Sequence, residues 1–204
     1  MNWVENTKAL SYHSWLLSEK AKLAAYQQAI AETVRAGDVV LDLGSGTGIL
    51  AFLSCQAGAR RVYAVEMGEA VELAKQVCRQ NGLQDRVVFL RELSTRVDLP
   101  ERVDVLVTDI LDIFGLGDGV LGWVLDARAR LLKPEGAILP QSVELFISPV
   151  EDLAAYQRVE MWAEDLYGLD FSPIKPFATN NLYPSRLKAD ALLGDPVSLG
   201  LIQL

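Results

Sequence analysis

Apolar residues recur with two different spacings along residues 38–140 of the chain. Short apolar runs predict strands at 38–43, 61–65, 86–90 and 103–108. A turn is predicted at 133–136, and a further strand opens after it at 137–139. Segments whose apolar residues lie three and four positions apart predict helices at 47–57, 68–80 and 118–132. Strands that alternate with helices in this way predict an α/β fold built on a doubly wound parallel sheet.

The segments on either side of this alternation have patterns of their own. Helical periodicity extends over 14–34, where Ser18 is a candidate cap inside the stretch. Alternation at 143–148 predicts a strand, but from there on prolines recur and helical periodicity is largely lost. The last residues, 199–204, also have the pattern of a strand. N-terminal helices and a short C-terminal β-rich extension are therefore predicted to flank the sheet.

Composition narrows the classes of function. The chain has 204 residues, enough for one full core and a small appendage, and a net charge of −8. An acidic surface repels phosphate and so disfavours a nucleic-acid partner. It suits cationic substrates, although a need for solubility is by itself a sufficient reason for the negative charge. No apolar run reaches the roughly 18 residues of a membrane helix, and the N-terminus has no signal-peptide pattern. We therefore expect a cytoplasmic protein without a membrane partner.

The two cysteines, Cys55 and Cys78, both fall in predicted helices. Their spacing matches no metal-binding motif, and a disulfide scaffold is uncommon in a chain of this size. We interpret both as core thiols of a protein in a reducing compartment, and the sequence predicts no metal site.

The strongest functional signal is a glycine turn after the first predicted strand. The run Val39–Leu43 is followed by Gly44, Gly46 and Gly48, and Glu66 comes after the next apolar run, eighteen residues beyond the last glycine. Such glycines let the backbone approach a ligand closely, and a carboxylate at the end of the second strand binds ribose hydroxyls. The pattern predicts a nucleoside cofactor; a turn that serves only helix–strand packing is the alternative.

The spacing of the glycines bears on which cofactor binds. A dinucleotide fingerprint requires glycine at position 49, where this chain has Ile49. S-adenosylmethionine (SAM) contains no pyrophosphate, so a turn that binds it has no need to present its amides to phosphate. It still requires room for the methionine portion and a carboxylate for the ribose. SAM is accordingly favoured over NAD or FAD.

Residues 39–66 resemble the SAM-binding core of the protein arginine methyltransferases. The similarity continues at 81–83, 97–100, 103–107, 131–140 and 163–170, and so covers most of the chain from His13 onward. The resemblance implies a Rossmann-like class I methyltransferase fold and a SAM-dependent transferase with S-adenosylhomocysteine (SAH) as product. It also implies three parts: a helical cofactor lid at 1–36, a SAM-binding domain at 37–140 and a partial β-barrel-like extension at 141–204.

The same resemblance assigns cofactor contacts one residue at a time. These are His13, Lys22, Asp42, Gly44, Ser45, Gly46, Thr47, Gly48, Leu50, Glu66, Met67, Ser94, Thr95 and Asp109. Two places depart from the family pattern. Lys22 replaces an arginine that binds the SAM carboxylate, and a lysine keeps the charge of arginine without its planar geometry. Ser94 and Thr95 lie where the family has a glutamate near the adenine.

Two acidic residues are candidates for catalysis. In the family, a loop after the fourth strand carries two glutamates that clamp the substrate guanidinium, and Asp109 and Asp118 hold these positions here. Paired carboxylates bind a guanidinium at two points and aim one nitrogen at the sulfonium methyl. Alternatively, Asp109 is an ordinary strand-end carboxylate and Asp118 caps the next helix. The surrounding residues look most like those of the monomethylating branch.

The C-terminal part leaves the methyl acceptor and the partners open. The family continues into a β-barrel with a Thr-His-Trp loop and a dimerisation arm, whereas this chain stops near the first barrel strands and has only one histidine, His13. The expected acceptor is a cationic protein or small molecule, and a methyltransferase for another nucleophile is one alternative. Another is a non-catalytic SAM-binding protein whose terminal strand pairs with a partner chain or a second copy. A NAD oxidoreductase is more distant.

Overall fold

The computed structural model describes residues 3–111, 119–183 and 185–204, with side chains from residue 10 onward. The helices are α1 (Trp3–Ser18), α2 (Lys20–Thr33), α3 (Ile49–Ala57), α4 (Ala70–Gln80), α5 (Val120–Arg130), α6 (Leu153–Glu160) and α7 (Lys175–Thr179). The strands are β1 (Val39–Leu43), β2 (Arg61–Val65), β3 (Val87–Leu90), β4 (Val103–Thr108), β5 (Leu132–Leu139), β6 (Ser142–Ile147), β7 (Asp165–Leu166), β8 (Leu169–Asp170) and β9 (Val197–Gln203).

A five-stranded parallel sheet positions the candidate site. Its strand order is β3-β2-β1-β4-β5, and in register Val40 of β1 lies between Val62 of β2 and Val105 of β4. Every residue of β1 is buried, as expected for the central strand of a sheet covered on both faces. The order reverses between β1 and β4, and ligands of such sheets bind at the carboxyl ends of the strands beside this reversal. The predicted α/β fold is confirmed.

Hydrophobic cores cover both faces of the sheet. On one face, Val40 and Val62 pack with residues of α2 and α3, among them Ile30 and Phe52. On the other face, alternate residues of the same strands pack against α5. Cys55 and Cys78 are buried free thiols in the first core, so the prediction of core thiols is confirmed.

The chain divides into two compact units, Met1–Val143 with Ile202–Leu204, and Glu144–Leu201. In the second unit β7 and β8 form a hairpin, and Asp152 caps α6 by accepting a hydrogen bond of 2.9 Å from the amide of Ala154. Lys175 forms an ion pair of 2.8 Å with Glu160. Strand β6 pairs with β9 in a separate two-stranded sheet. The three-part division at 36 and 140 and the barrel-like character of the extension stay predictions.

Several predicted local features are wrong. Ser18 does not cap the second helix of the 14–34 stretch, since its hydroxyl donates to the carbonyl of Trp15; the helical prediction itself is confirmed, as the end of α1 and the whole of α2. The predicted turn at 133–136 lies within β5, where the pairing register with β4 shifts while the backbone stays extended. Helical structure also persists after residue 140, in α6 and α7. In α7 a proline concealed the helix in the sequence, although proline is tolerated in a first turn.

No helix in the described part of the chain is long and apolar enough to cross a membrane.

Candidate functional site

The glycine turn joins β1 to α3 at the carboxyl edge of the sheet. Gly44, Gly46 and Gly48 all have positive φ angles, of 74°, 50° and 87°. A Cβ on Gly46 would lie 2.8 Å from the ring of His13, and one on Gly44 would overlap the side chain of Ile110. Both positions therefore require glycine, because of the backbone angle and because of the close neighbours. Backbone geometry explains the glycines; their contact with a cofactor stays a prediction.

Glu66 follows β2 directly and turns its carboxylate toward the glycine turn. Its Oε2 accepts a hydrogen bond of 2.9 Å from the amide of Gly46, and its Oε1 accepts one of 2.6 Å from the amide of Gly68. These two bonds fix the orientation of the carboxylate. Each oxygen retains a second lone pair, so the group can still accept hydrogen bonds from a ligand.

Two adjoining cavities meet at Gly44, Glu66 and Ile110. The first, of about 180 Å³, has mostly apolar walls from Leu43, Val65, Leu93 and Trp123, together with Met67, Glu92 and Ser94. The second, of about 240 Å³, has polar groups from Asp42, Ser45, Thr47 and Asp109, and also contacts α1 at Tyr12 and His13. Together they reach the size range of small-molecule sites, roughly 300–1,000 Å³. Glu66 thus lies between an apolar compartment and a polar one.

Most of the predicted contact residues come together around these two cavities. The residues that line one or both are His13, Asp42, Gly44, Ser45, Gly46, Thr47, Leu50, Glu66, Met67, Ser94 and Asp109. Lys22, Gly48 and Thr95 line neither cavity. Lys22 is paired with Asp109, Gly48 is the residue before α3, and Thr95 lies in a short 3-10 turn at Ser94–Arg96. The contact of each residue with a cofactor is untested.

Asp42 is a buried carboxyl group of the site whose pKa is strongly raised. It is fully buried on β1, and its Oδ2 accepts a hydrogen bond of 2.9 Å from the amide of Ala51. Among the described residues nothing bonds its Oδ1, and the hydroxyl of Ser45 is likewise buried without a partner. Burial raises the pKa of Asp42 to about 7, helped by the nearby carboxylates of Glu66 and Asp109 and opposed by the Ala51 amide. Unpartnered buried polar atoms beside a cavity indicate a place for a ligand.

Asp109 follows β4 and is held by two residues of α2. The ammonium of Lys22 donates to its Oδ2 at 2.6 Å, and the hydroxyl of Tyr26 lies 3.4 Å from its Oδ1. The same hydroxyl donates to the carbonyl of Thr108 at 2.7 Å. Burial, and then the Asp109 carboxylate, raise the pKa of Tyr26 above its usual range. The resemblance directs Lys22 to a cofactor carboxylate, whereas the structure places it on Asp109.

Sequence reasoning missed several residues that line or support the site. These are Tyr12, Tyr26, Glu92, Leu93, Ile110 and Trp123. Two signals were available. Tyr26 lies four residues after Lys22 and so shares its helix face, and Glu92 follows β3 at the edge where ligands bind. Asp118, the second catalytic candidate, lies at 112–118, outside the described residues.

A family model shows which kind of protein contains this site. The model described as ribosomal protein L11 methyltransferase (PrmA) matches residues 24–139, more than half of the chain. This range holds the sheet and the glycine turn and ends where the C-terminal extension begins. The match identifies the chain as a member of a methyltransferase family.

Curated relatives extend the similarity beyond that range. Protein arginine N-methyltransferase 6 of Xenopus laevis is 35% identical over 192 residues, which are 92% of this chain and 56% of the relative. Protein arginine N-methyltransferase 2 of Dictyostelium discoideum is 33% identical over 205 residues, which are 96% of this chain and 40% of the relative. The chain therefore spans about half the length of the curated relatives it matches.

Solved structures agree with these relatives. Protein arginine methyltransferase 10 of Arabidopsis thaliana has a TM-score of 0.79 and 29% identity over 94% of this chain and 62% of that one. The PRMT1 enzyme-prozyme complex of Trypanosoma brucei with AdoHcy has a TM-score of 0.85 at 24% identity, over 94% of this chain and 61% of that one, and shows the fold alone. The sequence and structural similarities together show that the chain belongs to the protein arginine methyltransferase family of class I methyltransferases.

Proposed function

We propose that this chain binds SAM and transfers its methyl group to the guanidinium of an arginine side chain in a protein. The single observation that carries the proposal is the two-part cavity around Glu66, with an apolar compartment on one side and carboxylates on the other. The names of the relatives support arginine as the acceptor. Cytoplasmic location and assembly into homo-oligomers stay predictions.

The described residues fit SAM. The apolar compartment beside Leu93 and Trp123 suits a purine ring, and the Glu66 carboxylate between the compartments suits the paired hydroxyls of a ribose. On the polar side, the free Oδ1 of Asp42 suits an ammonium group, and the unpartnered hydroxyl of Ser45 provides a further polar contact. Bound SAM supplies a methyl group activated by the positive charge on its sulfur.

Asp109 is the described residue best placed to hold the methyl acceptor. Its carboxylate lines the polar cavity, and its side chain is about a quarter exposed. A guanidinium remains protonated and is a poor nucleophile, and a carboxylate binds it through its N–H donors. We propose that Asp109 holds the guanidinium so that one nitrogen faces the cavity. Asp118 is the proposed second carboxylate.

A binding measurement tests the cofactor first. Calorimetric titration with SAH should show saturable binding, while NAD should give none, because the turn lacks the third glycine of a dinucleotide site. Binding of NAD without SAH would contradict the proposal. A matched pair of peptides then tests the acceptor: labelled SAM should methylate an arginine-rich peptide and leave its lysine counterpart unlabelled.

The role of Asp109 is tested by Asp109→Asn. Turnover on the arginine peptide should fall at least about 100-fold, since the guanidinium loses a charged partner, while SAH still binds. Asp126→Asn is the matched control, because Asp126 pairs with Arg130 on α5, outside both cavities. Turnover in Asp109→Asn equal to that of the unchanged chain would exclude the role.

A methyltransferase for another nucleophile is the second candidate. The observation in its favour is the ion pair of 2.6 Å between Lys22 and Asp109, because a cation already contacts the carboxylate meant for the guanidinium. Labelled SAM offered with a mixture of metabolites should then label a small molecule in preference to the arginine peptide. A non-catalytic SAM-binding protein would label neither.

A further inference from the structure

Three carboxylates line the polar cavity, and they differ in what neutralises them. Asp109 is paired with Lys22, and both oxygens of Glu66 accept hydrogen bonds from backbone amides. Asp42 accepts one amide hydrogen bond through Oδ2, and its Oδ1 is buried without a partner. Asp42 is therefore the least compensated of the three and the most deeply buried.

The charged and titratable groups around Asp42 come from every neighbouring element. Glu66 follows β2 and Asp109 follows β4, while Lys22 and Tyr26 on α2 are bonded to Asp109. Tyr12 and His13 of α1 line the same cavity. On α3 the one titratable side chain is Cys55, a thiol whose pKa is raised by burial. The cations among these groups do not contact Asp42 directly, so its ionised form would lie in a negative, buried environment.

We propose that Asp42 is protonated below neutral pH when no ligand is bound, and that it gives its proton to solvent when the ammonium group of a SAM-type ligand binds beside Oδ1. This inference rests on the proposed function, and it adds a proton to the binding reaction. Ligand affinity would then depend on pH through a group of the protein that takes no part in methyl transfer.

The step balances in atoms and charge. The O–H bond of the Asp42 carboxyl breaks, its proton passes to the buffer, and the electron pair stays on the carboxylate. The resulting negative charge faces the positive charge of the ammonium, which keeps its own protons. The pKa of about 7 agrees with this geometry, because a carboxyl with that value is half protonated near neutral pH.

Calorimetric titration with SAH in two buffers tests the proposal. Near neutral pH, the apparent enthalpy should differ between a buffer with a small ionisation enthalpy and one with a large ionisation enthalpy. The difference should correspond to about half a proton released per SAH, given the pKa of about 7. Release should approach one proton about one pH unit lower and vanish about one unit higher. The SAH affinity should weaken about tenfold between about pH 8 and about pH 6.

Two protein variants and a second ligand assign the proton. Asp42→Asn should abolish the release, while His13→Gln should retain it, which separates the carboxyl from the imidazole in the same cavity. Asp126→Asn, outside both cavities, should behave like the unchanged chain. Methylthioadenosine has the nucleoside without the ammonium and should bind without proton release.

The outcomes are distinguishable. SAH binding with equal apparent enthalpies in the two buffers overturns the inference and leaves the proposed function intact, and so does proton release that persists in Asp42→Asn. Absence of SAH binding overturns the proposed function, and the inference falls with it. Should Asp42→Asn fail to fold, infrared difference spectra of the unchanged chain decide, since SAH must remove the band of a protonated carboxyl.

Discussion

At the scale of single residues, the site depends on polar atoms that have been removed from water. Asp42 and Tyr26 are both placed where burial shifts their pKa upward, and Asp109 contributes to both shifts. The Oδ1 of Asp42 and the hydroxyl of Ser45 have no partners among the described residues. Such groups weaken the fold unless a ligand satisfies them, so stability and ligand binding are linked at this point.

The first residue-scale prediction concerns Asp42 and pH. Its pKa is about 7 in the folded chain, whereas the ordinary pKa of an aspartate is 3.8, so between these pH values the folded state holds a proton that the unfolded state has lost. The contribution of Asp42 to the free energy of unfolding is thus fully present below the unfolded pKa and falls as pH rises, by at most about 1.4 kcal/mol per unit.

Asparagine mimics the neutral form of Asp42 and does not titrate. Asp42→Asn should therefore gain stability relative to the unchanged chain between about pH 5 and about pH 8. Urea unfolding at the two pH values measures the difference. A difference between the two proteins that is independent of pH would contradict the raised pKa.

The second residue-scale prediction concerns Tyr26, which supports Asp109 from α2. Tyr26→Phe removes the hydrogen bond to the carbonyl of Thr108 and leaves that buried group with one partner fewer. The free energy of unfolding should fall by about 1 kcal/mol in urea denaturation. Tyr167→Phe is the control, since the Tyr167 side chain is fully exposed and should have no effect. Equal stability of the two variants would argue against a supporting role.

At the scale of elements, the carboxyl ends of β1, β2 and β4 bring the site together. The Thr108 hydroxyl donates to the carbonyl of Leu43 at 2.8 Å, which ties the end of β4 to the end of β1. Helix α2 reaches the same edge through Lys22 and Tyr26, one helical turn apart. The glycine turn lies between these elements. The positive φ angles of its glycines are therefore what the site requires of this segment.

A pair of glycine substitutions tests the turn. Gly46→Ala adds a Cβ at a φ of 50° against the ring of His13, and the strain should cost about 1–2 kcal/mol and weaken SAH binding at least about tenfold. Gly122→Ala is the matched control, because this helical glycine has open space around it. It should gain about 0.5–1 kcal/mol with SAH affinity unchanged. Equal SAH affinity in both variants would mean that the turn does not approach the ligand.

At the scale of the whole molecule, the net charge bears on which acceptors the chain attracts, and its length bears on how much of the relatives it matches. The net charge of −8 favours encounter with a cationic acceptor and disfavours nucleic acid. The match to the Xenopus laevis relative covers 92% of this chain but only 56% of that protein. The chain therefore matches about half of the length of that relative.

Salt tests the electrostatic part of this description. Raising NaCl from about 0.05 M to about 0.5 M should increase the KM for an arginine-rich peptide at least about threefold, because the attraction between exposed charges is screened. The Kd for SAH should change less, since its polar contacts are buried. Steady-state kinetics and calorimetry in the same salt series provide both values. A KM that does not respond to salt would exclude long-range attraction.

The sheet and the glycine turn were predictable from the sequence, and much of the periphery was not. The predicted strands at 61–65 and 103–108 matched β2 and β4 to the residue, because strands buried on both faces are mostly apolar. The predicted turn at 133–136 was wrong because that segment lies within β5, between the residues that pair with Val103 and Val105 of β4, and this pairing is a tertiary contact. Likewise, α6 and α7, of 8 and 5 residues, are too short for periodicity to reveal them.

By itself, the sequence determined the α/β fold and the family and predicted where the candidate site lies, since local periodicity and glycine angles depend on neighbours along the chain. Only the tertiary structure decided the partners of the charged groups. Lys22 and Asp109 lie 87 positions apart, and their ion pair forms because α2 packs beside the end of β4. The burial that leaves Asp42 with one free oxygen likewise depends on α3 and on the turn above it. Charged groups interact according to the distance between them in space, and only folding determines that distance.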